Sequence, residues 1–233
     1  MPTTLSHVNI CFHGRLNAQL WQHETLRIPV RLKMLKSAIA FYRFLDVTKL
    51  VIKDIIFTGS NAAYNYTTIS DLDLHLIVDF SKTACPDLAD NFFTTKKTLW
   101  NQTYNASIYG HPVELYVEDV TNPVTANGIY SILHNRWLKR PERIKPTAED
   151  TSIVRKAEAY ADEIDSLLAG EPNSNNINEL LSKLGNLRRN GLLAGGEFSV
   201  ENLTYKALRS AGFLQKLHDA RHELRVKELS LSP

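Results

Sequence analysis

The stretch FTGSNAAYNYTTISDLDLHLIVDF, residues 57–80, decides how the chain is read. From Asp71 onward polar and apolar residues alternate, the period of a half-buried strand. Alternate side chains of a strand point to opposite faces, so Leu72, Leu74, Leu76 and Val78 share one face and Asp71, Asp73 and His75 the other. The leucines require the core, which forces the two carboxylates to stand side by side, about 7 Å apart at their backbone positions. Like charges so placed repel unless a cation lies between them. Magnesium suits the pair, being a hard cation bound by one or two carboxylates together with substrate phosphates.

Working outward, VIKDIIF at 51–57 is rich in β-branched residues and stops at Thr58, Gly59 and Ser60, which reads as a buried strand ending in a tight turn. Gly59 has no side chain to obstruct a phosphate, and backbone N–H groups with the Ser60 hydroxyl can bind one. Downstream, Ser107–Tyr109 and Pro112–Val117 read as a hairpin joined at Gly110. Its second strand alternates Val113, Leu115 and Val117 with Glu114, Tyr116 and Glu118. If that strand lies beside the Asp71 strand, Glu114 stands about 5 Å across the ladder and completes a set of acids able to hold two metal ions. A phosphate-cradling turn followed by a carboxylate cluster describes a site for a nucleoside triphosphate.

The order strand, Gly-Ser, short helix, Asp-x-Asp strand and later acidic strand resembles the polymerase-beta-like nucleotidyltransferase superfamily over residues 30–120. The segments GSNAAYNY, SDLDLHLIVDF, IYGHPVELYVED, GIYSILHNRWLKRPE and GGEFSVENLTYKALR are also similar to a set of nucleotidyltransferases of bacteriophage type. The resemblance implies that Gly59 and Ser60 bind the triphosphate and that Asp71, Asp73 and Glu114 are the catalytic metal ligands. It implies Mg2+, with Mn2+ as the substitute, and ATP or another nucleoside triphosphate as donor. A nucleoside monophosphate would pass to an acceptor such as an RNA end, a nucleotide or a protein, with release of pyrophosphate. Glu114 departs from the aspartate frequent at that position. A non-catalytic nucleotide-sensing or antitoxin-like binding module on the same fold is the alternative.

Other polar residues carry plainer readings. An isolated Asp-x-Asp is ordinarily a solvated strand face, and only the ordered combination lifts it above that. His75 reads as a hydrogen-bonded neighbour of the acids, because carboxylates and phosphate oxygens already fill an octahedral shell. Tyr64 and Tyr66 could stack on a base or simply pack. His111 reads as a hairpin residue, and Arg188 and Arg189 as favourable charges at a helix carboxy terminus. The chain has neither a G-x-S-x-G elbow nor a G-x-x-x-x-G-K-S/T loop, which sets aside serine hydrolases and P-loop ATPases.

Around this centre the pattern is helical. Residues 29–45 predict an amphipathic helix burying Leu32, Leu35, Ile39, Tyr42 and Leu45, and 86–104 a second burying Leu88, Phe92, Leu99 and Trp100. After the charged, proline-bearing stretch 137–150 only helical stripes follow: Ile153, Ala157, Tyr160, Ile164 and Leu167, then Ile177, Leu180, Leu181, Leu184 and Leu187. GLLAGGEFS separates these from a third helix near 200–216, with Ser199 as its N-cap. The expected fold class is α+β: a nucleotidyltransferase-type mixed sheet flanked by helices over 1–145, then a helical carboxy-terminal domain over 146–233 that walls the nucleotide cleft and offers Arg188, Arg189 and Lys206 to phosphate.

Composition agrees with this class. The chain has 233 residues, 43% hydrophobic and 22% charged, and 27 basic against 25 acidic residues leave a net charge of +2. Bulk charge therefore announces no nucleic-acid binder, and a basic groove would have to come from local placement. Cys11 and Cys85 lack metal-ligand spacing. No secretory leader or membrane span is read, so a cytoplasmic protein is expected, in the host cytoplasm if of phage origin.

Overall fold

The structure is a computed structural model that describes residues 13–48, 50–68, 70–143 and 150–231. The leader reading, Cys11 and positions 144–149 of the expected linker lie outside the described residues. The described chain forms two compact units, one ending at Arg143 and the other made of 150–231.

The first unit is α+β. A short hairpin, β1 (Trp21–Gln22) and β2 (Thr25–Leu26), precedes helix α1 (Ile28–Leu45). Strands β3 (Ile52–Thr58) and β4 (Leu72–Val78) follow, then helix α2 (Pro86–Thr103). Strands β5 (Ser107–Ile108), β6 (His111–Asp119), β7 (Ile129–Ser131) and β8 (Arg136–Lys139) complete a six-stranded sheet of order β5-β6-β4-β3-β7-β8. The sheet is mixed: β4 and β6 run parallel, bridged by α2, while the other neighbours are antiparallel.

One face of the sheet is the core. Leu72, Leu74, Leu76 and Val78 of β4 are fully buried and pack with Phe57, Val113 and Leu115 against Met34, Ala38, Phe41, Phe93 and Trp100 of the two helices. Trp21 extends this layer toward β7 and β8, stacking on Trp137 with centroids 4.7 Å apart and meeting Tyr130 edge-on. Beyond the two-residue β5, Asn101 of α2 closes the edge of β6. Its Nδ2 donates to Leu115 O (3.3 Å) and its Oδ1 accepts from Leu115 N (3.2 Å), much as a neighbouring strand would.

Two expectations, the buried faces of α1 and α2, change. Helix α1 buries Val30, Met34, Ala38, Phe41 and Leu45, leaving Leu32 at 57% and Ile39 at 44% exposure. Its apolar residues form two adjacent stripes with the same spacing, and Phe41 against Trp100 selects the face that docks. Helix α2 likewise buries Ala89, Phe93 and Trp100 and exposes Leu88, Phe92 and Leu99. The hairpins β1-β2 and β7-β8 carry no Asn-Gly or Asp-Gly signal; His23, Glu24 and Asn135 supply the positive φ angles of 48°, 64° and 54° instead.

The second unit is helical: α3 (Asp150–Ala169), α4 (Ser174–Gly195), α5 (Val200–Ser210) and α6 (Phe213–Leu229). Ala157, Ile164, Ile177, Leu180 and Leu184 are buried with Leu208, Phe213 and Leu217. Helix α4 runs through Arg188, Arg189 and the GLLAG segment, so the two arginines lie within it and do not cap its end. The region 200–229 is two helices broken at Gly212, where φ is 81°, in place of the single expected helix. Ser199 does cap α5, accepting from Asn202 N.

Candidate functional site

The face of the sheet opposite the core carries Asp71, Asp73, His75, Glu114, Tyr116 and Glu118, all half-buried. Parallel register pairs Asp73 with Glu114, His75 with Tyr116 and Ile77 with Glu118. In-register partners project to the same side, so the alternation in each strand and this single register together bring the acids into one group. One oxygen from each of Asp71, Asp73 and Glu114 lies within 4.8 Å of the others, a spacing at which one cation can touch all three.

Two aromatic neighbours shape the acids. The Tyr116 hydroxyl donates to Glu114 Oε2, and Lys97 Nζ sits 4.2 Å from the Tyr116 ring centroid. Burial first, and then the negative charges of Asp73 and Glu114, push the Tyr116 phenol well above its ordinary range, so it remains a hydrogen-bond donor. His75 stacks on Tyr116 at 4.6 Å, and both its ring nitrogens are engaged: Nδ1 with Glu118 Oε1 (3.3 Å) and Nε2 with Thr58 Oγ1 (3.2 Å). The ring is thus held by protein groups beside the cluster.

The turn after β3 meets the acids directly. Gly59 has φ 80° and ψ −169°, a conformation essentially confined to glycine. A Cβ there would lie 2.0 Å from Asp73 Oδ2, so the absent side chain is what leaves room for the carboxylate. Ser60 opens a one-turn 3-10 helix, Ser60–Ala62, and its hydroxyl donates to Ser70 Oγ at 2.9 Å. Ser70 Oγ also accepts from Thr67 N at 2.9 Å. The Ser60 side chain is therefore tied to the loop that leads into Asp71.

Beneath that turn lies a buried polar network absent from the sequence reading. Asn61 Nδ2 donates to Ser70 O (3.1 Å) and Asp71 O (3.0 Å), and Asn61 Oδ1 accepts from Asn17 Nδ2 (3.0 Å). His111 Nδ1 donates to Ser70 O (2.7 Å), which leaves Nε2 to accept from Asn17 Nδ2 (3.2 Å). Trp21 Nε1 donates to Asn61 O (2.8 Å). Three residues that each look like ordinary polar positions come together from distant parts of the chain, and only tertiary structure reveals the association.

Tyr66 stacks on His13 with ring centroids 3.9 Å apart, and the Arg143 guanidinium lies 5.2 Å from the Tyr64 ring. In the helical unit, Arg188 sits over Tyr205 at 5.1 Å and Arg189 Nη1 donates to Asn186 Oδ1 at 3.2 Å. No protein-family model, no curated protein and no solved structure matches the chain. Among the described residues no helix is long and apolar enough to cross a membrane.

Proposed function

We propose that the first unit is a metal-dependent nucleotidyltransferase. The observation that supports this best is the convergence of Asp71, Asp73 and Glu114 to within 4.8 Å on one sheet face, with the Gly59 backbone packed against Asp73. A glycine that leaves half-buried backbone beside a carboxylate triad would supply, in one place, amide donors for phosphate oxygens and anionic ligands for the cations that neutralise them. The residues fit Mg2+: the donors are all hard oxygens, with no thiolate or free imidazole nitrogen among them.

In this reading Asp71, Asp73 and Glu114 hold the metal, and Gly59 and Ser60 receive the triphosphate. The metal would supply charge neutralisation on the phosphates and a lowered pKa for the acceptor hydroxyl. The chain's own contribution is positioning. Tyr116 fixes the Glu114 carboxylate by donating to it, and His75, braced by Glu118 and Thr58, stacks behind Tyr116. An acceptor hydroxyl attacks the α-phosphorus of the nucleoside triphosphate, the α-β bridging bond breaks, and pyrophosphate leaves. Glu114 or Asp73 would take the acceptor proton.

Pyrophosphate release, assayed with each nucleoside triphosphate and pooled cellular RNA in the presence of Mg2+ or Mn2+, tests the reading. Mass spectrometry of co-purified RNA and protein for a nucleotide adduct identifies the acceptor. Release that persists in Asp73→Asn, or its absence with every donor and acceptor, would count against the enzyme. Nucleotide binding without turnover would favour the non-catalytic module. Comparing the full chain with one ending at residue 143 tests whether the helical unit selects the acceptor.

A further inference from the structure

We infer that Asn17, Asn61 and His111 are positioning residues for the metal centre, acting through the Ser70–Asp71 backbone; the inference rests on the metal-binding reading of Asp71, Asp73 and Glu114. Asp71 lies just outside β4, so the strand's own ladder does not set its main chain. Something else must. The carbonyls of Ser70 and Asp71 receive three donors, two from Asn61 and one from His111, all at 2.7 to 3.1 Å.

The donors are themselves fixed. Asn61 is 0%, His111 3% and Asn17 6% exposed, so each polar atom must find a protein partner. One assignment of hydrogens serves the shorter contacts, and Asn61 Nδ2 also lies 3.4 Å from His111 Nδ1. Asn17 Nδ2 has two hydrogens, one for Asn61 Oδ1 and one for His111 Nε2, and Asn61 Nδ2 has two for the Ser70 and Asp71 carbonyls. The Asn17 Oδ1 accepts from Gln19 N at 3.0 Å. With the Nδ1 hydrogen directed at Ser70 O, His111 Nε2 is the atom that accepts from Asn17. One tautomer and one amide orientation satisfy every contact of the set up to 3.2 Å.

The network also ties the metal centre to a segment before α1. Besides Asn17, Trp21 donates to Asn61 O, and His13 N donates to Tyr64 O at 2.7 Å. Residues 13–21 thus grip the turn 61–64 at several points. A shift there passes through Asn61 to the carbonyl of Asp71 and changes where the Asp71 carboxylate meets Asp73 and Glu114. Outer-shell partners of this kind typically alter metal affinity by about 10- to 100-fold when removed.

Two substitutions of His111 separate positioning from plain packing. The Nδ2 of asparagine falls where His111 Nδ1 lies, so His111→Asn keeps the donor to Ser70 O and loses the Asn17 contact. The amide of glutamine falls at Nε2, so His111→Gln keeps the Asn17 contact and loses Ser70. Mn2+ affinity, read from the free-ion electron paramagnetic resonance signal of the full chain, is expected to stay within about threefold of the parent in His111→Asn and to fall at least about tenfold in His111→Gln. Equal affinities in the two variants would overturn the inference while leaving the metal site standing. A parent that binds Mn2+ no better than Asp73→Asn would overturn both. Should His111→Gln fail to fold by circular dichroism, Trp21→Phe takes its place: it drops the bond to Asn61 O together with part of the stacking on Trp137, and unchanged Mn2+ affinity there would also refute the positioning role.

Discussion

Gly59 and Asp73 occupy mutually exclusive space: a methyl group on the first would lie 2.0 Å from Oδ2 of the second and 3.1 Å from its Cγ. The register pair Thr58 and Asp73 ends the β3-β4 ladder immediately beside this contact, so an added Cβ would push first on the Asp73 carboxylate. Gly59→Ala is expected to lose about 1 to 3 kcal/mol from the backbone conformation alone, with the displaced carboxylate adding to it. Mn2+ affinity should fall with stability. A chemical-denaturation midpoint and a metal titration equal to the parent's would show that the turn relaxes without cost.

Asp73→Asn should behave in the opposite way in the metal-free protein. It removes one of three acids whose oxygens lie within 4.8 Å of each other, so the fold should be as stable as the parent's or more so. Adding Mg2+ should then raise the parent's melting temperature and leave the variant's unchanged. Metal at about a hundredfold excess over its dissociation constant adds about 2.7 kcal/mol to a native state that alone binds it. Equal thermal shifts in both proteins would remove Asp73 from the ligand set.

The face chosen by α1 yields a direct stability test. Met34→Ala, at a fully buried position, should cost about 2 to 5 kcal/mol, whereas Leu32→Ala, at 57% exposure, should stay within about 0.5 kcal/mol. Urea melts of the two variants check the assignment. The reverse order would restore the stripe that the sequence pattern favours.

That pair also shows where sequence is legible. In β4, period two left one possible core face, and Leu72, Leu74, Leu76 and Val78 are all buried there. The same logic for β6 placed Glu114, and the register partner Asp73 follows once the two strands are neighbours. In α1 two stripes, 30/34/38/41/45 and the expected 32/35/39/42/45, satisfy helical spacing equally, and only the shape of the opposing surface decides. The Asn17–Asn61–His111 set has no local signature, since its members are joined by hydrogen bonds across 44 and 94 sequence positions.

Asn101 should prove important to the edge of β6. Its amide supplies both partners for the Leu115 backbone. Asn101→Ala leaves a half-buried N–H and C=O unmet, a loss of about 1 to 3 kcal/mol. Amide hydrogen exchange at Leu115 should accelerate in the variant, and protection at the parental level would show that another group covers the edge.

In the helical unit the corner between α4 and α5 separates packing from charge. A Cβ on Gly191 would lie 2.6 Å from both Glu201 Cβ and Ser199 Oγ, so α4 approaches the start of α5 as closely as it does only because residue 191 is glycine. Lys156 of α3 reaches the same corner, with Nζ 2.7 Å from Glu201 Oε1. The hydrogen bond from Lys156, ahead of a backbone donor, holds the Glu201 carboxyl below the usual carboxylate range. A lowered folded-state pKa contributes stability above the unfolded-state value, and that contribution disappears as pH falls through the folded-state value. Both side chains are more than a third exposed, at 36% and 37%, which limits the pair to at most about 1 kcal/mol. Lys156→Met should therefore be slightly less stable than the parent near neutral pH and indistinguishable from it once Glu201 is protonated in both states, and added salt should narrow the neutral-pH gap. Gly191→Ala should destabilise equally at both pH values, because steric overlap does not titrate. Urea melts of parent and both variants at neutral and strongly acidic pH read the difference. A Lys156→Met deficit that persists in acid would assign the loss to the packing of the lysine stem, with no measurable part from its charge.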